Sequence, residues 1–121
     1  MIVAVAPIVP PDASYVWQFY LINDGDEPIE SGIVDELIYE WGDHGTTHRV
    51  GASFGVILPS TAIAIHRDID SELRTTISGR VVIGGVERPF GAEFGRLYGP
   101  SQKQLVPIPI LGVMGLLPNR E

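Results

Sequence analysis

Along the stretch from Tyr15 to Ile22, Tyr15, Trp17, Phe19 and Leu21 alternate with Val16, Gln18, Tyr20 and Ile22. A period of two in a run this rich in aromatic and β-branched side chains predicts a strand. The odd-numbered side chains are the larger and wholly apolar, which assigns them to the core. Asn23-Asp-Gly-Asp-Glu-Pro28 follows as a polar turn, since Asn, Asp and Gly tolerate left-handed backbone and proline donates no hydrogen bond. The alternation is cleanest further on. Leu73, Thr75, Ile77, Gly79, Val81 and Ile83 face one way, and Arg74, Thr76, Ser78, Arg80 and Val82 the other. An apolar face backed by a polar one is the mark of an antiparallel sheet covered on one side. Gly84-Gly85 is a two-residue hairpin signal. The returning strand runs from Val86 to Phe94 with Phe90, Ala92 and Phe94 inward. Pro89 makes it an edge strand or a bulged one, because proline cannot donate to the ladder.

Weaker patterns fill the rest of the first 98 positions. Ile2 to Ala6 is a short strand ended by Pro7, and Pro10-Pro11-Asp12 turns the chain. Arg49 to Leu58 alternates with Phe54, Val56 and Leu58 inward; Pro59-Ser60 is a turn. Thr61 to Arg67 is a strand with Ile63 and Ile65 inward and His66 outward, and the stretch from Asp68 to Glu72 is an acidic turn. Ser31 to Gly42 carries two patterns at once. Ile33, Val34, Leu37, Ile38 and Trp41 would line one face of a helix. Leu37, Tyr39 and Trp41 also alternate with Glu36, Ile38 and Glu40 as in a strand. The β-branched and aromatic content and the strand-like neighbours favour the strand. Gly42-Asp-His-Gly-Thr-Thr-His48 is polar and reads as a loop between strands.

Past Tyr98 the character changes. Gly99 to Gln104 is a linker, and Leu105 to Leu117 holds nine large apolar side chains in thirteen residues, with Pro107 and Pro109 among them. Fixing a residue costs roughly 1–2 kcal/mol of backbone entropy. Burying a large aliphatic side chain returns about 1.5–3 kcal/mol, so this arm is expected to dock. Its prolines bar a helix and a central strand, leaving an extended, polyproline-like or edge-pairing segment. It could dock on the domain's own open edge or on a second chain, and the second chain is favoured. That makes Leu105, Val106, Ile108, Ile110, Leu111, Val113, Met114 and Leu116 the candidate partner-binding residues. The chain divides into a β-domain over 1–98 and a linker with apolar arm over 99–121.

Size and charge narrow the function. At 121 residues the chain is one domain, large enough to bury a core without metal or disulfide staples. The formal charge is −7, with a single Lys and scattered Arg. Nucleic acid and anionic membranes, which call for clustered cations, are poor partners. The absence of cysteine excludes disulfides, thiolate zinc sites and thiol catalysis. The apolar start has no basic residue before it and is interrupted by Pro7, so it reads as a strand and not as a secretory signal. No run approaches the ~18–20 apolar residues of a membrane span. A cytoplasmic location is the default.

Chemistry-bearing groups are few. Asp43, His44 and His48, with His66 elsewhere, are of the types that ligate zinc or another divalent ion. The His-x-x-x-His spacing shares a face on a helix, and Gly45-Thr46-Thr47 argues against one. Two exposed histidines in a polar loop are the preferred reading, a metal site the alternative. Asp68, Asp70 and Glu72 lack the Gly and Glu that an EF-hand requires downstream. Gly51-Ala-Ser53-Phe-Gly55 has the nucleophile-elbow form but lacks the α/β-hydrolase setting that the motif needs. Glu36 and Glu40 could pair as acid and base, as in a glycosidase, but in a strand they alternate with Leu37, Tyr39 and Trp41 on the wet face, and that is the preferred reading. Trp17 and Trp41 are assigned to the core, leaving Tyr20 and Tyr98 as the only exposed-ring candidates for stacking on a sugar. No catalytic residue and no cofactor is expected.

Seven or eight short strands in about 100 residues imply a two-sheet sandwich. Phe19-Tyr-Leu-Ile-Asn23, Gly25 and Pro28, a strand closing on Asn-x-Gly with proline soon after, resemble the bacterial immunoglobulin-like modules. Leu58-Pro59-Ser60 is similar to the turn of such modules, with Ser60 where Gly is usual. The resemblance implies an all-β, antiparallel immunoglobulin-like sandwich that binds or spaces other proteins. The expected function is therefore a non-enzymatic protein-binding or assembly subunit. The alternative is a small metal-binding protein or metal-dependent enzyme using Asp43, His44, His48 and His66.

Overall fold

A computed structural model describes residues 1–8, 16–69, 74–96 and 105–118. Among these residues nine strands follow in order: β1 Ile2–Ile8, β2 Val16–Asn23, β3 Ser31–Trp41, β4 His44–Phe54, β5 Thr61–Ile69, β6 Arg74–Ile83, β7 Val86–Arg96, β8 Val106–Pro107 and β9 Met114–Gly115. Every pairing is antiparallel, and the described residues contain no helix. One sheet has the order β1-β2-β5, a second the order β4-β3-β6-β7, and β8 and β9 form a small hairpin. The Pro10–Asp12 turn, the acidic positions 70–72 and the 99–104 linker lie outside the described residues.

The two larger sheets bury their facing sides in one core. Trp17, Phe19 and Leu21 of β2 meet Ile77 and Val81 of β6, Leu37 of β3 and Phe94 of β7. Phe19 and Phe94 pack edge to face with centroids 5.5 Å apart, a favoured aromatic geometry. Phe90 and Ala92 also point inward, and Pro89 sits on β7, an edge strand. Two large rings fit because glycines lie opposite them. A Cβ on Gly79 would fall 2.5 Å from the Phe90 ring, and one on Gly32 2.3 Å from Phe54.

Ser31–Trp41 is a strand with a bulge. Register slips between Val34 and Glu36 against both neighbours: against β6 Asp35 is the extra residue, whereas on the other side β4 sets Val50 and Gly51, the latter at φ 64°, against it, and the inward parity of β3 changes across Asp35. Val34 and Leu37 are therefore both buried. The three-residue spacing that resembled a helix is the signature of this bulge.

Several expectations are corrected. Pro7 does not end β1 but pairs opposite Trp17, tolerated on an edge strand. Positions 44–48 are not a loop, because the turn is only Gly42-Asp43, with Gly42 at φ 55°, and Trp41 already pairs with His44. Val56 and Leu58 are exposed while Ile57 is buried. The chain leaves the sheet after Phe54, and Ile57 exchanges backbone hydrogen bonds with Ile29 at 2.8 and 2.9 Å. His66 is not outward, since a slip at Ile65 sets it opposite Phe19. The rings lie 5.8 Å apart.

The C-terminal arm packs on its own chain. Val5 and Leu116 exchange backbone hydrogen bonds of 3.1 and 2.7 Å along the free side of β1. Ile108 is buried with Ala4 and Ile22 on the outer face of the β1-β2-β5 sheet, and Val106, Leu111 and Leu117 pack around them. β1 presents both an open edge and an apolar outer face, and one hairpin covers them together.

Candidate functional site

The β3–β4 hairpin carries more rings than the core absorbs. Along its inner face Leu37 is buried, Tyr39 is half-buried against the core, and Trp41 is 49% exposed. On β4 the same face carries His48, Thr46 and His44, opposite Leu37, Tyr39 and Trp41 in turn. Trp41 and His44 lie 5.4 Å apart with their planes tilted by 32°, and Tyr39 and His48 lie 5.2 Å apart, edge to face. Two ring pairs thus stand in a row where the core gives out. They are held on strands, with the tight Gly42-Asp43 turn fixing the register.

These contacts decide the fate of the histidines. Asp43 lies in the turn. His44 and His48 share a face four positions apart, about 13 Å along a strand, and each is engaged by a different ring. His66 belongs to the other sheet. The four candidate ligands are not brought together, and among the described residues no three His, Asp or Glu side chains gather as a metal group.

The other candidates separate likewise. Glu36 and Glu40 fall on the outer face of β3, again about 13 Å apart, wider than the ~5–9.5 Å of a glycosidase pair. Ser53 sits within β4 opposite Ile33, not at a strand-to-helix elbow. At the other end of β3, the bulge aims Asp35 at Arg80. Arg80 donates from Nε and Nη2 to the two Asp35 carboxylate oxygens, both at 2.9 Å, and its Nη1 lies 3.7 Å from Glu87. The hydrogen bond from Arg80 holds the Asp35 carboxyl below its ordinary value. With two carboxylates against it, this guanidinium is already matched in charge and is a poor anion receptor.

The eight partner-binding candidates divide. Ile108 is buried, and Leu105, Val106, Leu111 and Leu116 are half-buried, all within the chain's own packing; Ile110, Val113 and Met114 remain exposed. Sequence reasoning placed Trp41 in the core. The available warning was its position at the mouth of a Gly-Asp turn, where a strand outruns its neighbours. No family model, curated protein or solved structure matches the chain.

Proposed function

We propose that this protein is a non-enzymatic binding module of immunoglobulin-like architecture that recognises another protein through its β3–β4 hairpin. The strand order supports the architecture. Immunoglobulin constant-type domains place strands one, two, five and four on one sheet and three, six and seven on the other. Here the order is β1-β2-β5 and β4-β3-β6-β7, the same set with the fourth strand moved across.

The observation that carries the binding reading is Trp41, half exposed and seated on His44 at the end of the inner face. Tryptophan and tyrosine on rigid backbone are the commonest anchors of protein interfaces. β4 beside them ends its sheet, so backbone donors and acceptors lie next to the rings. The test is Trp41→Ala, compared with the wild type for partners captured by cross-linking in the native extract. Expected is a partner lost at least tenfold while the thermal melt stays within a few degrees. An unchanged partner set overturns the proposal. So does a stoichiometric metal whose loss, on replacing His44 and His48, abolishes an activity.

A further inference from the structure

We infer that β4 is a self-pairing edge: two copies join antiparallel through it around a two-fold axis at Thr47, merging two four-stranded sheets into one of eight. This rests on the protein-binding reading above and names the partner as a second copy of this chain.

The edges of the described sheets are not equivalent. β1 is taken by Leu116. β7 is interrupted by Pro89, and β5 is broken by the slip at Ile65. Among the described residues β4 pairs only with β3, and from His44 to Arg49 its register is unbroken. Exposed edges are normally guarded by lysine, proline or inward charges. From His44 to Phe54 there is no lysine, no proline and no carboxylate, in a chain of net charge −7. A second acidic copy meets least repulsion along this strand.

The charges select a register. With Thr47 opposite Thr47 of the second copy, Thr46 faces its His48 and Gly45 faces its Arg49. Gly45 also lies opposite Glu40 within the chain, and the Glu40 side chain leans over it, its Cγ only 3.5 Å from where a Gly45 Cβ would stand. Glu40 therefore leans toward the open edge, while Arg74 on its other side is engaged by Glu93 at 3.4 Å. Because Gly45 has no side chain, Arg49 of the second copy can extend across it to Glu40, two strand spacings or about 10 Å away at the backbone. By symmetry the contact forms twice, as an isologous interface requires. The two Arg49 side chains start roughly 14 Å apart along the strands, beyond a Debye length of about 8 Å at physiological salt. On the opposite face the ring pairs of both copies meet in one surface across the axis.

The test uses the full chain. Light scattering over a concentration series is expected to show a dimer. Glu40→Lys and Arg49→Glu are each expected to weaken it at least tenfold, and the double variant to restore it. Because the chain has no cysteine, Thr47→Cys supplies one thiol whose only protein partner is the same thiol of another copy, reached by exchange through its mixed disulfide with glutathione. Under oxidised glutathione it should give covalent dimer much faster than Thr76→Cys on the outer face of β6. A wild type that stays monomeric to millimolar concentration overturns the inference, as does a dimer indifferent to both charge reversals with no faster cross-linking at Thr47. A monomer that still loses a foreign partner on Trp41→Ala would sink the inference and leave the broader reading standing.

Discussion

Trp17 and Trp41 are one residue type put to opposite uses. Trp17 is fully buried between the sheets, and Trp41 stands half outside. Trp17→Ala should cost about 3–5 kcal/mol, the usual range for deleting a buried large aromatic, whereas Thr76→Ala on the outer face should stay within about 0.5 kcal/mol. Chemical denaturation checks both, and equal effects would mean the faces are misassigned. Asn23 shows how a polar residue is accommodated inside. It is only 3% exposed, and its Nδ2 donates to the carbonyls of Glu27 at 2.8 Å and Ile57 at 3.0 Å. Its Oδ1 accepts from the Gly25 amide at 3.1 Å. Asn23→Ala should cost about 2–3 kcal/mol, since it strips partners from buried backbone. Ile110 is the reverse case, a β-branched residue at φ 70° that is also 46% exposed. Left-handed backbone costs such a residue roughly 1–2 kcal/mol, and asparagine tolerates it better. Ile110→Asn should therefore raise stability by about 0.5–1 kcal/mol, read from the denaturation midpoint. A loss instead would show that the isoleucine is covered in solution.

At the scale of elements, the arm and the bulge matter most. The β8–β9 hairpin closes the outer face of the smaller sheet through Ile108 and reaches β1 through Leu116. Its close approach depends on Gly115, where a Cβ would lie 2.4 Å from the Val5 carbonyl oxygen and 3.1 Å from Ile108. Gly115→Val should lift the arm, and truncation after Gln104 should expose Ala4 and Ile22 outright. The truncated chain is expected to lose about 3 kcal/mol or more, by analogy with uncovering one or two buried aliphatic side chains. It should also bind a hydrophobic dye that the intact protein excludes. Unchanged stability after truncation would make the arm a bystander. The bulge at Asp35 does a different job: it reverses the inward parity of β3, burying Val34 before it and Leu37 after it.

At the scale of the molecule, charge and pH enter. The Arg80 guanidinium holds Asp35 below its ordinary value of 3.8, and the N-terminal ammonium does the same for Asp24. In each case the folded state binds the proton less readily than the unfolded chain. The stability these contacts give is therefore complete above the ordinary carboxylate range and lost as pH falls through the lowered values. Asp24 is exposed and Asp35 partly so, which keeps the contribution modest and salt-sensitive. Asp35→Asn should lower stability modestly near neutrality and converge with the wild type as pH falls below about 4, so that the acid limb of the stability curve is flatter. An acid limb identical to that of the wild type would show that the Asp35–Arg80 pair does not form in solution. Far-ultraviolet circular dichroism should show antiparallel sheet, and a helix-dominated spectrum would contradict the fold.

The sequence by itself determined the strands whose side chains alternate without interruption. Val16–Asn23, Arg74–Ile83 and β7 as far as Phe94 were legible because a period of two survives wherever the side chains of a strand alternate regularly, and Gly84-Gly85 announced its turn through left-handed backbone at both positions, φ 59° and 74°. It also determined that the apolar arm must dock, since the surface to be hidden is counted from composition alone. The tertiary structure decided where. Which edge is open depends on the strand order, a long-range property, so the seat on β1 could not be read from Leu105–Leu117. Slips of register were hidden for the same reason: one extra residue at Asp35 or Ile65 matters only against a neighbouring strand. The candidate site was the least legible part. Trp41, His44, Tyr39 and His48 became a ring-bearing surface because β3 and β4 extend beyond the core that covers Leu37, and how far a sheet outruns its partner is set by the packing of two sheets, not by either strand.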